Sequence, residues 1–406
     1  MSWRAYLCDT MTGQLDTRID LPSFSWQVDV SDASLATTKS KGYGDTTLSG
    51  LTIPWSALPG GTDSARRRAI CTDRTSIVLM RHDDYDDPSL PGRPILKGAI
   101  GIRTDTALDT SFSLTSTMGL LADRYVVREG KYGTGAHGYS PDVIHLSGLS
   151  LRGIASEVGY LCTDCKPGGA LPIDWQYRGE KGSHVRDYDA WDIANLSCKD
   201  VLTKITNVQG GPDLQFRPYL TTDGNHVREA FVAGSDADIF FGNHTHHYLN
   251  YGPNGGMAEN LTVDHLGPMQ RVYATGAGQD KTTLTYLAED LSRLRTRDPW
   301  ILHETTYNDN DQKKLDLLKQ HANHQLDANR NALMQLSCTI NADEHDATGA
   351  PKLQLGTFWP GESFTFDIDG YPPLPDGRYE TRLMQMSGDQ TSQVKLVFDV
   401  MDDPIY

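Results

Sequence analysis

Apolar and polar residues alternate one by one through long parts of this chain. Phe24-Ser25-Trp26-Gln27-Val28-Asp29-Val30 changes side at almost every step, the period of a strand with one buried face. Ser111-Phe112-Ser113-Leu114-Thr115 repeats the pattern. Residues 75–80 and 95–102 are short apolar runs, bounded by turn residues at 83–91 and by Gly98. Short strands at regular spacing, joined by Gly and Pro, predict a barrel or sandwich over residues 1–128.

Residues 129–258 follow another rhythm. The stretch 129–141 is rich in Gly and Tyr and reads as a loop. Leu151, Ile154, Ala155 and Val158 fall at helical spacing, with Gly159 placed to end that helix. Ser197 is suited to cap a second helix. On it Cys198, Val201, Leu202 and Ile205 share one face, and Gly210-Gly211-Pro212 stops it. Residues 214–220 alternate as a strand, for which Pro218 predicts an edge position, and residues 228–233 can pair with it. This segment is α+β.

From about residue 259 the chain returns to β. Residues 261–263 and 271–275 read as strands, and 284–294 as a helix ended by Asp298-Pro299. The helix over 311–328 is the best marked: Leu315, Leu318, Ala322 and Leu326 form a narrow apolar stripe, and Asn308 or Asp309 is placed to cap it. Strands are predicted at 333–340, 379–386 and 393–400. Between the first two of these lies Leu353-Gln354-Leu355-Gly356-Thr357-Phe358-Trp359-Pro360-Gly361-Glu362-Ser363-Phe364-Thr365-Phe366-Asp367-Ile368. Its Pro-Gly turn is read as reversing the chain between two alternating strands, so that Leu353, Leu355, Phe364 and Phe366 face one core. Replacing Gly361 with Val is expected to damage folding or assembly. The fold class is α+β, mainly β: β-barrel-like domains at 1–128 and 259–406 flank an α+β middle domain at 129–258.

Length and charge narrow the function. At 406 residues the chain is too long for one ordinary core. Its 53 acids against 37 Lys and Arg leave a net charge of −16, so no stable nucleic-acid binding is expected. An acidic wall past which DNA slides is compatible with that charge. Met1 to Tyr6 contain no apolar signal region and no run of about 18 apolar residues exists, so neither a signal peptide nor a transmembrane segment is expected. Cys8, Cys71, Cys162, Cys165, Cys198 and Cys338 are scattered and read as reduced thiols of a chain folded in a cytoplasm.

Several short motifs suggest chemistry. Gly133-Thr134-Gly135-Ala136-His137-Gly138 matches a phosphate-binding fingerprint, but Pro141 follows and no amphipathic helix opens on the last glycine, so a loop is expected. Gly148-Leu149-Ser150-Leu151-Arg152-Gly153 has its last glycine one residue late for a nucleophile elbow, which leaves Ser150 as a helix cap. Cys162 and Cys165 with His244 and His246 are the right ligand types for Zn²⁺, though without a second C-x-x-C. Asp83-Asp84-Tyr85-Asp86-Asp87-Pro88 offers carboxylates for Ca²⁺ without the EF-hand pattern, and reads as a solvated loop, as does 341–345. The seven tryptophans read as core or interface before sugar-stacking platforms.

Taken together, three features are similar to the tail-hub family of tailed bacteriophages, the minor tail proteins of siphophages and baseplate hubs of contractile tails. They are the β region with Phe24 to Val30, Gly92-Arg93-Pro94 and Leu96-Lys97-Gly98-Ala99-Ile100; the helix and strand at 198–208 and 214–220; and the helix from 311 followed by Leu355-Gly356, Pro360-Gly361-Glu362 and Gly377-Arg378-Tyr379-Glu380-Thr381-Arg382-Leu383-Met384-Gln385-Met386. The resemblance implies a homotrimer whose six barrels dock on a sixfold tail tube. It implies a distal tail protein, a tape measure protein and a tail fibre or receptor-binding protein as neighbours. It places the chain at the virion tail tip, assembled in the host cytoplasm, serving host attachment and genome ejection with DNA passing the lumen. The family carries no universal catalytic residues, so no catalytic, cofactor-binding or metal residue is assigned and no enzyme activity or cofactor is expected. Tyr406 follows soon after the second barrel, so no lytic extension is expected. The alternative readings are a tail-associated cell-wall or polysaccharide hydrolase, whose acid and base groups would cluster in a pocket, or a carbohydrate-binding module.

Overall fold

The computed structural model describes residues 2–21, 23–30, 33–36, 51–83, 87–208, 210–241, 246–310 and 312–405. The fold is mainly β, with two curled half-barrel sheets and small helical and sheet segments in the middle of the chain. Contacts divide it into two units. One comprises Met1–Tyr248, Thr339–Thr365 and Arg382–Leu396; the other comprises Leu249–Cys338, Phe366–Thr381 and Val397–Tyr406.

In the first unit, β1 (Ser2–Asp9), β2 (Leu15–Ile19), β5 (Leu51–Pro54), β6 (Thr75–His82), β7 (Arg93–Asp105) and β8 (Asp109–Thr115) make a sheet in the order β2-β1-β6-β7-β8-β5. β8 buries every second residue, the pattern of a strand with one wet face. β6 and the first half of β7 are instead buried on both faces, which is why their apolar runs are continuous. Between β5 and β6 lies a short helix, α1 (Asp63–Ala69), capped by the Thr62 hydroxyl. Residues 24–30 do not join this sheet. β3 (Ser25–Asp29) pairs with β4 (Ala33–Ala36) and, antiparallel, with residues 385–389, placing Trp26 opposite Gly388 and Val28 opposite Met386.

The middle segment of this unit opens with α2 (Thr117–Ala122) and holds β9 (Val143–Leu149), α3 (Leu151–Cys162), β10 (Ile173–Asp174), β11 (His184–Asp189), α4 (Cys198–Thr206), β12 (Leu214–Leu220) and β13 (Val227–Ala233). β9 and β11 form a ribbon; β10, β13 and β12 form a second small sheet, with β12 and its Pro218 at the edge as expected. Ser150 and Ser197 cap α3 and α4, accepting from the N–H groups of Gly153 and Asp200. Gly159 does not end α3. The helix runs to Cys162, and Gly159 is small because the Trp175 ring lies against it. Trp175 also lies tilted against Phe231 at 5.0 Å and meets Phe216 edge-on at 5.7 Å, within the core of this segment.

In the second unit, β16 (Arg271–Thr275), β17 (Thr285–Glu289) and β18 (Glu304–Asn308) make a sheet in the order β17-β16-β18, covered by α5 (Leu315–Asn329). Leu318, Ala322 and Leu326 pack on Val272, Ala274 and Ala288, while Leu315 lies outside the stripe and is exposed. The predicted cap does not form: the helix begins at Leu315 after Lys314, and residue 311 lies outside the described residues. Residues 284–294 are not a helix but β17 followed by a 3-10 turn; Ala288 points in while Thr285, Leu287 and Glu289 are exposed, a period of two.

The remaining strands are β14 (His246–Tyr251), β15 (Ala258–Leu266), β19 (Leu333–Asn341), β20 (Ser363–Ile368), β21 (Gly377–Asp389) and β22 (Gln393–Asp402), in the sheet order β14-β20-β21-β22-β19-β15. β19 and β20 alternate buried and half-buried positions without a break. Only the second of the two strands expected around the Pro-Gly turn exists. Residues 353–362 are turns and loop, and their side chains are held in another way.

Candidate functional site

The 355–362 turn is held by side chains at both of its ends. Gly361 has φ +95°, in the left-handed region that a side chain disfavours, and a Cβ there would lie 2.3 Å from the Phe241 ring. Its successor, Glu362, is buried. Its Oε1 accepts from Arg217 Nη1 on β12 at 2.6 Å, its Oε2 pairs with His247 Nε2 on β14 at 2.8 Å, and the Trp359 N–H donates to Oε2 at 3.3 Å. Burial alone would raise the Glu362 carboxyl above its ordinary range. The His247 hydrogen bond and the Arg217 charge outweigh it and hold the carboxyl below that range. Burial pulls Arg217 down in turn, opposed by Glu362. The Arg217 guanidinium lies 5.3 Å from the centre of the Phe241 ring and 5.8 Å from that of Trp359, and Nε donates to Gln215 Oε1 at 2.7 Å. The His247 ring lies tilted against that of Phe364, their centres 4.9 Å apart.

A second charged cluster holds the other end of the turn. Asp83, at the end of β6, is 1% exposed. It pairs with Arg81 and with Arg93, and accepts from Gln354 Nε2 at 3.3 Å. Arg93 Nε donates to the Leu355 carbonyl at 2.8 Å, and Arg81 pairs with Asp343. Asp83 was therefore misread as part of a solvated loop; the loop reading fits Asp87, which is exposed and bonded to Ser89. Residues 84–86 lie outside the described residues. In the stretch 341–345, Asp343 serves this cluster and Glu344 pairs with Lys352.

A third buried group sits under β7. Glu229 of β13 accepts from the Thr117 hydroxyl, and burial raises its carboxyl against the opposing Lys97 charge. Lys97, Thr117 and Glu229 line two adjoining cavities. These three clusters tie strands and a turn together.

The sequence motifs are dispersed. Residues 133–138 form a loop with Gly133 and Gly138 at positive φ and a single 3-10 turn at Ala136–Gly138, and no α-helix opens on its last glycine. Cys162 is buried and Cys165 exposed. His246 is exposed, His247 is committed to Glu362, and His244 lies outside the described residues. Among the described residues no group of three or more His, Cys, Asp and Glu could hold a metal ion, and no helix is long and apolar enough to cross a membrane. Of the tryptophans, Trp26, Trp175 and Trp359 are buried, whereas Trp191 is exposed. Sequence reading missed Arg217 and Arg81 as anchors. The available signal was an arginine inside an otherwise apolar strand, which needs a buried partner.

The chain is similar to phage tail proteins over nearly its full length. A tail protein from Neisseria meningitidis MC58 matches at 12% identity and TM-score 0.45, covering 98% of this chain and 96% of its own. The 43 kDa tail protein of prophage MuSo2 from Shewanella oneidensis matches at 9% and TM-score 0.48, with 98% of each chain covered. Prophage tail protein gp18 from Listeria monocytogenes EGD-e matches at 10% and 0.42, covering 97% and 94%. No family model and no curated protein matches the sequence.

Proposed function

We propose that this chain is a structural hub at the tip of a phage tail. The observation that carries the reading is the pair of curled half-barrel sheets joined through a small α+β segment, the architecture that the hub resemblance of the sequence calls for. Among the described residues, the first sheet ends at β2 on one side and β5 on the other. An open sheet presents strand edges that pairing with another copy satisfies. On this reading the working division is 1–128, 129–258 and 259–406, and three copies close a ring by heterologous contacts. The ring joins a distal tail protein, the tape measure protein and a fibre or receptor-binding protein at the virion tail tip. The net charge of −16 suits a lumen through which DNA passes without sticking. Carboxylates such as Glu362 and Glu229 serve as anchors in this reading, with no substrate chemistry assigned to them.

The test is the particle itself. The full chain, purified alone and together with its tail-gene neighbours, is weighed in solution and imaged. A three-copy ring that assembles on tail tubes and leaves cell wall intact is expected. A chain that stays monomeric with its neighbours present and degrades peptidoglycan or polysaccharide overturns the reading in favour of a hydrolase.

A further inference from the structure

Lys97 stands in the buried half of β7 and Glu229 in the middle of β13. They are 8% and 3% exposed. Among the described residues the Lys97 side chain has neither a hydrogen bond nor an ion pair, and Glu229 has one bond, from the Thr117 hydroxyl to Oε2. The two charges therefore lie in one buried place without touching. An ammonium has three N–H groups to satisfy, and a carboxylate accepts on both oxygens. Leaving such groups unmet in a protein interior is costly.

The space beside them is of a definite size. Lys97, Thr117 and Glu229 line both cavities, with Ser116 on the wall of the first and Thr10, Ser76 and Thr115 on the wall of the second. The first leaves about 30 Å³ for the centres of water molecules and the second about 10 Å³. A water needs about 10–15 Å³ by this measure, so the two together have room for about two to three. Lys97 Nζ and Glu229 Oε1 keep surface that water can touch. In the second cavity the Thr10 and Ser76 hydroxyls bond each other at 2.8 Å, and each still has a lone pair to offer.

The charge pattern selects the occupant. An anion would accept from Lys97 but face the Glu229 carboxylate. A metal ion would find one carboxylate and an ammonium beside it. An organic molecule is too large. What fits is a molecule of water's size that donates and accepts at once. Burial raises the Glu229 carboxyl against the opposing Lys97 charge and the Thr117 bond. Water serves either protonation state, donating to the carboxylate or accepting from the acid.

We propose that Lys97 and Glu229 form a binding site for internal water, a water-separated ion pair that joins β7 to β13. One water accepts from Lys97 Nζ and donates to Glu229 Oε1, and its neighbours extend the chain to the Thr10 and Ser76 hydroxyls. Such bridges are nearly as favourable as direct hydrogen bonds. The middle segment is thus docked on the first sheet through a wet contact at this point. The inference stands apart from the hub reading.

The experiment is a high-resolution crystal structure of the full chain, from one crystal grown in chloride and one in bromide. A water within hydrogen-bond distance of both Nζ and Oε1 is expected, with no anomalous bromide peak there. In solution, oxygen-17 relaxation dispersion counts the long-lived internal waters. The double variant K97M/E229M removes both polar ends and fills the space, and should lose about two to three of them. A direct Lys97–Glu229 contact with no water between overturns the proposal. So does a bromide ion at the site, or a folded K97M/E229M chain that keeps every long-lived water. Where the double variant does not fold, the crystal structure of the unsubstituted chain decides.

Discussion

Gly361→Ala is the sharpest probe of the anchored turn. Two costs can be read from its surroundings. At φ +95° the added Cβ meets its own backbone, which costs about 1–2 kcal/mol. The same Cβ would lie 2.3 Å from Cδ2 of Phe241, far inside contact distance, so the ring must move. Phe241 is 4% exposed and its ring lies near the Arg217 guanidinium, so it has little room, and overpacking of this kind costs about 1–3 kcal/mol. The expected loss is about 2–5 kcal/mol in all. Gly356→Ala is the matched control. Gly356 has φ +85°, but its nearest neighbour, Arg93 Cβ, is 3.2 Å away, leaving mainly the backbone cost of about 1–2 kcal/mol. Urea unfolding of both variants, followed by tryptophan fluorescence, separates the two terms. A G361A chain within about 0.5 kcal/mol of the unsubstituted protein refutes the reasoning. Equal losses for G361A and G356A would show that Phe241 gives way at no cost.

Glu362→Gln should cost about 3 kcal/mol near neutral pH, since it leaves the buried Arg217 without its anion. Because the folded carboxyl is held below its ordinary 4.5, its contribution is present above that value and lost as pH falls through the folded one. The gap between E362Q and the unsubstituted chain should therefore close in urea titrations carried from pH 7 into the acid range; a constant gap rejects the assignment. Gly159→Ala should destabilise α3 even though Ala is the better helix former by about 1 kcal/mol. Its Cβ would lie 2.1 Å from the Trp175 ring, and a net loss of about 1–2 kcal/mol with a shifted Trp175 emission is expected. A more stable G159A would mean that the ring is free to relocate.

Where local chemistry decides structure, the sequence was informative. The capping serines Ser150 and Ser197 act within a turn of their helices, and strands such as β8 and β19 announce themselves by period two. Leu318, Ala322 and Leu326 likewise mark α5 in the chain alone. Partnerships between residues far apart in the chain were not legible. Nothing local says that Asp83 faces Gln354, or that Glu362 faces Arg217 and His247. Phe24 to Val30 reads as a strand in the sequence, yet one of its two partner strands lies near the other end of the chain. Leu284 to Glu289 misled because its apolar residues satisfy both periods over so short a span. Gly159 looked like a stop signal, and only the Trp175 ring explains its size.

The pairing of β3 with residues 385–389 has a consequence for biosynthesis. Trp26 and Gly388 are about 360 residues apart in the chain. At about 5–20 residues per second, a ribosome needs roughly 20–80 s to deliver the strand that flanks β3. Until then Trp26 and Val28, both buried in the finished protein, lack that neighbour. A chain truncated before residue 385 is therefore expected to leave β3 without one of its two partner strands.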